Sequence, residues 1–268
     1  MSLRINTNIE AFDAHRQLQG TQDKLQKSME RLSSGYRINT AADDAAGLAI
    51  SEKLRAQISG LDQANRNTSD AISLVQTAEG QLNEVHSMLQ RVRELAVQYQ
   101  NGTLSTSDRS AINSEVSQLT QEIERIGTTA QFNNIHLLDS SQTITFQVGA
   151  NDGDSISVST ISLGQVVGSS VFTLTTTSTT DISEIDGAIN AVSAQRAEFG
   201  AVQNRLEHTI NNLSTYQENL TASESQIRDV DMASEMVEFT KDQILQQAGT
   251  SMLSQANQLP NSVLSLLR

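Results

Sequence analysis

The side chains that most often carry chemistry, thiols, imidazoles and paired carboxylates, are few in this sequence and lie far apart. Cysteine is absent, which excludes thiol nucleophiles, thiolate metal sites and disulfides. No histidine has a second histidine or a carboxylate at the spacing that a helical metal site needs. The histidines are therefore interpreted as surface residues: His15, His86, His136 and His208. The sequence predicts neither a metal site nor a cofactor.

Two acidic pairs come closest to a catalytic or calcium-binding arrangement. Asp43 and Asp44 precede a helical pattern, so capping of that helix explains them better than acid–base catalysis. Asp152 and Asp154 belong to a turn and lack the later glutamate that completes a calcium loop. Phosphate-binding glycine loops and a nucleophile elbow are also missing. The sequence thus predicts a protein that is not an enzyme.

The composition argues against a compact enzyme and against several classes of partner. Of the 268 residues, 37% are hydrophobic and 3% aromatic, which predicts a thin core. The net charge of -13 argues against nucleic acid, because phosphate binding needs a concentrated basic surface. No apolar run is long enough to cross a bilayer or to form a signal-peptide core. We expect no membrane insertion, and either a soluble protein or one exported by a route that reads no such signal.

Two seven-residue repeats predict two very long helices. From Ala45 to Tyr99, apolar residues share one heptad register that only Thr68 interrupts. From residue 185 to 227 the register is unbroken. A shorter helix is predicted at about 107–126, where apolar residues alternate steps of four and three. Because none of the three helices can bury its apolar stripe alone, they are expected to pack side by side as an elongated bundle.

Both ends of the chain predict amphipathic helices that pair and polymerise. Their apolar positions form the predicted assembly core: Ile5, Ile9, Phe12, Leu18, Leu25, Leu32, Leu245, Met252, Leu259, Val263 and Leu266. Residues 245–267 carry no charge, which is unusual for an exposed helix. A sticky or disordered terminus is the alternative, but the regular spacing favours a helix that is buried only on assembly.

The centre of the chain changes from a helical period to a period of two. Apolar residues alternate with polar ones over 144–148 and again over 156–158, and residues 149–154 supply a turn. This pattern predicts a β-hairpin. The threonine-rich segment 173–180 fits either a further strand or an exposed loop.

The predicted fold is mainly α with a small β part: an elongated bundle of long coiled-coil-like helices with a β-hairpin insert, and a paired terminal-helix domain. Residues 1–43 and 232–268 form the predicted terminal polymerisation domain. Residues 44–140 and 181–231 form the predicted long-helix bundle, and residues 141–180 its hairpin insert. The two chain ends are thereby expected to lie together in space.

The sequence resembles bacterial flagellin, and the motifs that carry this resemblance are long and specific. They lie at residues 5–8 (INTN), 32–51 (LSSGYRINTAADDAAGLAIS), 76–98, 131–138 (QFNNIHLL), 219–236 and 255–268 (QANQLPNSVLSLLR). The resemblance implies a structural subunit that polymerises into the helical flagellar filament used for bacterial swimming. The short centre leaves room for only a small insert.

The resemblance also implies partners and a location. The first partner is the chain itself, in a helical homopolymer; the others are the flagellar export apparatus, the flagellin chaperone, and the cap and hook-junction proteins. The implied location is secreted, in the extracellular filament of the flagellum. The alternatives are a hook–filament junction protein, whose ends are similar, and an intracellular coiled-coil adaptor. Residues 43–51 and 93–98 look more like flagellin than like the junction protein.

In the flagellin family, a site on the outer helices is recognised by Toll-like receptor 5, and residues 89–95 with Glu115 keep its pattern. The resemblance therefore implies receptor contacts at Arg91, Leu95 and Glu115. Arg91 is the expected anchor, because its planar guanidinium makes paired hydrogen bonds. An ion pair of Arg91 with Glu115, or with a neighbouring subunit, explains these residues equally well.

A helical wheel of the uncharged tail separates an apolar half from a polar half. The polar half includes Ser251, Gln255, Gln258, Ser262 and Ser265. We expect this polar face to line the export channel, where chains of either charge sign must slide past without being held by fixed ions. Pro260 is the one proline of the chain and is expected to bend the helix or to start a new turn.

Overall fold

The fold is mainly helical with a small β part, as the sequence predicts, and the described residues contain two short antiparallel hairpins, of which one was predicted. The computed structural model describes residues 8–167 and 181–266, and the side chains of these up to residue 258. The helices are α1 (Ile9–Ser34), α2 (Ala45–Tyr99), α3 (Thr106–Thr129), α4 (Leu163–Val167), α5 (Asp181–Arg228) and α6 (Met232–Leu266). The strands are β1 (Gln131–Phe132), β2 (Ile135–His136), β3 (Thr143–Gln147) and β4 (Ser155–Ser159). The threonine-rich segment 173–180 lies outside the described residues.

The chain divides into two compact units. The terminal unit comprises Met1–Ala56 and Asn219–Arg268, and the central unit comprises Gln57–Glu218. The divisions fall inside α2 and α5, so each of these helices contributes to both units. The three predicted domains, which begin and end elsewhere, stay a prediction.

The helices begin and end at residues suited to capping. Asn8 caps α1 by accepting a hydrogen bond from the backbone N–H of Ala11 at 3.1 Å. Gly35 ends α1 in the left-handed conformation, with φ of 76°, where a side chain would be strained. Asp44 caps α2, because its Oδ1 accepts a hydrogen bond from Gly47 N at 2.9 Å. The predicted helix at 107–126 extends slightly further at both ends, as α3.

The long heptad repeats line the core of the central unit. Many of its fully buried members come from α2, α3 and α5, including Leu82, Leu89, Val92, Ile123, Ile185, Phe199 and Leu206. Thr68, which interrupts the repeat in the sequence, is also fully buried. Its hydroxyl donates to the carbonyl of Ala64 at 2.7 Å, so the polar group is satisfied within its own helix. A hydroxyl in an apolar seam therefore does not disrupt α2.

The predicted hairpin is formed by β3 and β4. Phe146 pairs with Ile156 across the hairpin, and Ile144 pairs with Val158, which places these apolar side chains on one face. That face packs on the core of the central unit. From α5, the buried amide of Gln195 donates to the carbonyl of Ser159 at 2.7 Å and holds the end of β4.

Sequence patterns do not predict β1, β2 and α4, which are all very short. The β1–β2 turn places Asn133 and Asn134 at φ of 47° and 64°. Two consecutive positive φ angles are typical of a type I′ hairpin turn, for which asparagine is well suited.

We expect Asn134→Val to destabilise the central unit by about 1–2 kcal/mol, because a β-branched residue is strained in this conformation. Urea unfolding of the monomer measures the loss, and Asn134→Gly, which tolerates positive φ, should retain wild-type stability.

Candidate assembly surface

Helices α1 and α6 form an antiparallel pair in the terminal unit. At one end the Asn8 side-chain amide donates to the carbonyl of Ala256 at 2.7 Å. At the other end, Nη1 of Arg31 lies 3.6 Å from Oε2 of Glu235. Between these contacts the side chain of Leu18 packs closely on α6, since a Cβ atom at Gly249 would lie 3.2 Å from one of its methyl groups. The predicted pairing of the two chain ends is therefore present in the fold.

Backbone hydrogen bonds join the two linkers that lead into this pair. Arg37 N donates to the carbonyl of Arg228 at 2.7 Å, and Val230 N donates to that of Gly35 at 3.0 Å. The guanidinium of Arg228 stacks 4.7 Å from the centre of the Tyr36 ring. It also pairs with Glu52 at 3.0 Å. These contacts align α1 with α6 at the base of the pair.

Asp43 joins α1 to the linker that follows it. Its carboxylate lies 2.7 Å from Lys27 Nζ and accepts the backbone N–H of Thr40 at 3.0 Å and that of Asn39 at 3.3 Å. The ion pair with Lys27, followed by the hydrogen bonds, holds the pKa of Asp43 well below its usual range. Of the two acids predicted to cap α2, Asp44 takes that role and Asp43 fixes the linker.

The lowered pKa of Asp43 predicts a pH-dependent stabilisation of the terminal unit. In the unfolded chain this carboxyl titrates near its ordinary value of about 4, so its stabilising effect is complete above that pH. The effect is lost as the pH falls through the lower native pKa. Asp43→Asn should therefore speed hydrogen exchange in residues 27–43 at pH 7, and the difference from wild type should shrink in strong acid. Asp23→Asn, at an exposed position of α1, serves as the matched control.

The terminal unit buries few apolar side chains of its own. Among its described residues, the buried apolar side chains are Ile38 and Ala256. The large apolar side chains that α1 and α6 leave exposed form what we call the assembly face: Ile9, Phe12, Met29, Met232, Met236, Val237, Ile244, Leu245 and Met252. Phe12 and Val237 are each 70% exposed. An exposed apolar surface of this kind marks an interaction site.

The predicted assembly core falls partly on this face. Ile9, Phe12, Leu245 and Met252 are exposed on it. Three further predicted members are half-buried along α1: Leu18, Leu25 and Leu32. The remaining ones lie outside the described side chains: Ile5, Leu259, Val263 and Leu266. The predicted assembly core does not include Met29, Met232, Met236, Val237 or Ile244. Met232 and Met236 lie four residues apart, a helical spacing, but charged neighbours concealed this signal.

The predicted channel residues lie on α6. Ser251, Gln255 and Gln258 are exposed, and Gln255 also lines an open groove between α1 and α6 together with Met252. Ser262 and Ser265 lie outside the described side chains. The helix continues past Pro260 to Leu266, so this proline does not end it. That these serines and glutamines of α6 line a channel stays a prediction.

Arg91 and Glu115 form an exposed ion pair between α2 and α3 of the central unit. The Nε and Nη2 atoms of Arg91 lie 3.0 and 2.9 Å from one carboxylate oxygen of Glu115, and Nη1 lies 3.3 Å from Glu94. These carboxylates, Glu115 first, raise the pKa of Arg91. Leu95 is only 2% exposed and belongs to the core, so the prediction that it contacts a receptor is wrong. Its position three residues after Val92 belongs to the buried stripe of α2.

The histidines are scattered over the surface of the described chain. His15, His136 and His208 are exposed, and His86 is half-buried beside Gln90. Across residues 8–167 and 181–266, no three histidine or acidic side chains form a group that could hold a metal ion. No helix within the same residues combines the length and the apolar character needed to span a bilayer.

Family models and relatives match almost the whole chain. The model for the bacterial flagellin N-terminal helical region matches residues 5–143, and that for the C-terminal helical region matches residues 182–267. Flagellin of Halalkalibacterium halodurans is 55% identical over 98% of this chain and 99% of its own length. Flagellin of Bacillus subtilis is 48% identical over 99% of this chain and 100% of its own length.

A solved structure and a filament protein give the same assignment. The crystal structure of Bacillus cereus flagellin, 32% identical, aligns with a TM-score of 0.51 over 59% of this chain and 94% of that one. The flagellar filament 33 kDa core protein of Treponema phagedenis is 46% identical over 98% of this chain. These matches favour the filament subunit over the junction protein and the intracellular adaptor. The chain belongs to the bacterial flagellin family, a family of structural proteins, and is a subunit of the flagellar filament.

Proposed function

We propose that the assembly face is where neighbouring subunits pack in the filament and complete the burial of α1 and α6. The observation that carries this proposal is the contrast between the two units. The central unit encloses a continuous apolar core, whereas the terminal unit leaves many large apolar side chains of α1 and α6 in water. Polymerisation would supply the missing contacts.

The energetics favour burial by neighbours over burial within one chain. Ordering each backbone residue costs about 1–2 kcal/mol. Full burial of a side chain such as Phe, Val or Met returns about 1.5–3 kcal/mol. In the isolated terminal unit, Phe12, Val237 and Met252 contribute little of this, because they are 70%, 70% and 64% exposed. The same side chains become strongly stabilising once a second subunit covers them.

Seeded growth tests this function directly. Purified monomers are added to short filament fragments, and filament length is followed by electron microscopy over a range of protein concentrations. Continuous elongation above a critical concentration is the expected result. Growth that stops at short lengths would favour a junction protein, and the absence of growth at every concentration would contradict the proposed assembly.

We also propose that the polar half of α6 lines the export channel of the filament. Ser251, Gln255 and Gln258 are exposed and uncharged in a chain whose other exposed helices carry many charges. A channel wall without fixed charges would not retain passing chains of either sign. Ser262 and Ser265 continue the same polar half of the helical wheel.

Secretion and the specific partners belong to the same proposal. We infer that the subunit is secreted in an unfolded state through the flagellar export apparatus, escorted by the flagellin chaperone. It would then join the extracellular filament beneath the cap, starting from the hook-junction proteins. The absence of cysteine suits such a route, because no disulfide can trap the chain before export. On this proposal the chain carries no catalytic activity.

The surface around Arg91 is the proposed site for Toll-like receptor 5. Arg91 is exposed and its guanidinium already makes charge-assisted hydrogen bonds with Glu115, so the pair presents a fixed polar surface. We expect Arg91→Ala to raise the half-maximal monomer concentration in a receptor reporter assay by about tenfold or more, the size of a hot-spot effect.

A second arginine provides the matched control for that assay. Arg125 is similarly exposed and pairs with Glu122 on α3. Arg125→Ala removes the same charge outside the proposed site and should leave receptor activation unchanged. Equal activation by wild type and the Arg91→Ala monomer would remove the receptor role and leave Arg91 with an intrachain ion pair alone.

A further inference from the structure

The methionines are distributed very unequally between the two units. Within the described residues, the terminal unit holds Met29, Met232, Met236 and Met252, which are between 48% and 64% exposed. The central unit holds Met88, which is half-buried and packs against the core. The exposed thioethers are therefore concentrated on the assembly face.

An exposed thioether reacts with peroxides by a balanced two-electron step. The O–O bond of hydrogen peroxide breaks, one oxygen atom bonds to the sulfur, and the other leaves as water together with both hydrogens. The sulfur is oxidised and the peroxide is reduced, and the product is methionine sulfoxide. This product is polar, whereas the thioether that it replaces is apolar and adaptable. Exposure of the sulfur controls which methionines react first.

The positions of these side chains determine what a sulfoxide would disturb. Met252 lies in the groove between α1 and α6, beside Leu18, Leu245 and Ala256. Met232 and Met236 are four residues apart, so they share one side of the first turns of α6. A new subunit that covers these positions would have to bury a sulfoxide oxygen among apolar groups, which is unfavourable without a hydrogen-bond donor.

We propose that these four methionines are oxidation sites through which a peroxide blocks assembly of the free subunit while leaving its central unit folded. The proposal rests on the proposed function of the assembly face. Subunits already in a filament would be protected, since neighbours cover the sulfurs. The modification is reversible in principle, because methionine sulfoxide is a substrate of sulfoxide reductases.

Peptide mapping tests the sites without any assembly step. Wild-type monomer is treated with hydrogen peroxide for increasing times, quenched with catalase, and analysed by mass spectrometry. Met29, Met232, Met236 and Met252 should each be oxidised several-fold faster than Met88. Equal rates at all five residues would overturn the assignment. Thermal unfolding followed by circular dichroism should show an unchanged central unit.

Seeded growth then tests the consequence, with each protein compared with its own untreated sample. Oxidation should raise the critical concentration of the wild type by about tenfold or more. The Met88→Leu variant should respond as strongly as the wild type. A further variant carries leucine at the four proposed sites. Its critical concentration after oxidation, divided by that of the untreated variant, should fall close to unity, although Met1 and Met88 remain oxidisable. A ratio as large as that of the wild type would overturn the proposal.

Reductase treatment covers the case in which the fourfold variant does not grow. Methionine sulfoxide reductases, added to oxidised wild type, should restore its growth from seeds. Persistent failure to grow after complete reduction would contradict reversible control by these residues. Failure of untreated wild type to grow would instead contradict the proposed function, and the peptide map would still decide whether the sites are assigned correctly.

Discussion

Phe12→Asp is expected to abolish filament growth while leaving the monomer folded. Phe12 is largely exposed in the single chain, so the substitution removes little burial from the monomer. In the filament, the carboxylate would be enclosed by apolar side chains, at a cost of several kcal/mol. A cost of about 4 kcal/mol corresponds to a rise of roughly a thousandfold in critical concentration. Growth should therefore be undetectable at concentrations that suffice for the wild type.

Three measurements distinguish an assembly defect from a folding defect. Circular dichroism and thermal unfolding of the Phe12→Asp monomer should match those of the wild type, and seeded growth should be lost. Phe12→Leu keeps an apolar side chain at the same position and should retain growth at a reduced rate. Wild-type growth by the aspartate variant would show that Phe12 stays in water in the filament, which contradicts its place in the assembly face.

The second large effect concerns the polar half of α6. Replacement of Gln255, Gln258 and Ser262 by glutamate should shorten filaments grown in cells several-fold. The reason is electrostatic: three carboxylates per subunit, repeated along the channel wall, would attract the basic segments of passing chains. Replacement of the same residues by asparagine changes their size and polarity without adding charge and should leave filament length normal.

Growth of the purified glutamate variant separates export from assembly. Seeded elongation in solution supplies subunits from outside and does not use the channel. The variant should therefore elongate seeds like the wild type while its filaments in cells stay short. Normal length in cells would contradict the channel assignment, and a defect in both assays would place these residues in subunit contacts instead.

The long-range patterns in the sequence predict the helical framework because burial repeats with the helix. The heptads predict α2 and α5 closely, since most of their apolar positions within the central unit face one core. The alternation at 144–148 predicts the β3–β4 hairpin for the same reason, with a period of two. The β1–β2 hairpin and α4 are too short for any period to emerge, and the backbone geometry at Asn133 and Asn134 becomes visible only in the fold.

The candidate surfaces are less predictable, because a periodic apolar stripe does not reveal which neighbour covers it. Leu18 and Phe12 both belong to the predicted assembly core, yet one is half-buried beside Gly249 and the other is exposed. Val237 was missed since charged residues surround it in sequence. Leu95 was assigned to a receptor contact from its motif, although it follows Val92 by three residues on the buried stripe of α2. Residue type alone does not tell a covered apolar side chain from an exposed one, because the distance to the neighbouring helix decides which of them is covered.

Hydrogen exchange of the monomer and of the filament tests the central claim, that neighbouring subunits complete the terminal unit, most directly. In the monomer, residues 9–32 of α1 and 245–258 of α6 should exchange much faster than residues 185–227 of α5, because the terminal pair has little buried core. In the filament, the terminal segments should become about as protected as α5. Equal protection of the terminal helices and α5 already in the monomer, with no gain on polymerisation, would contradict the account.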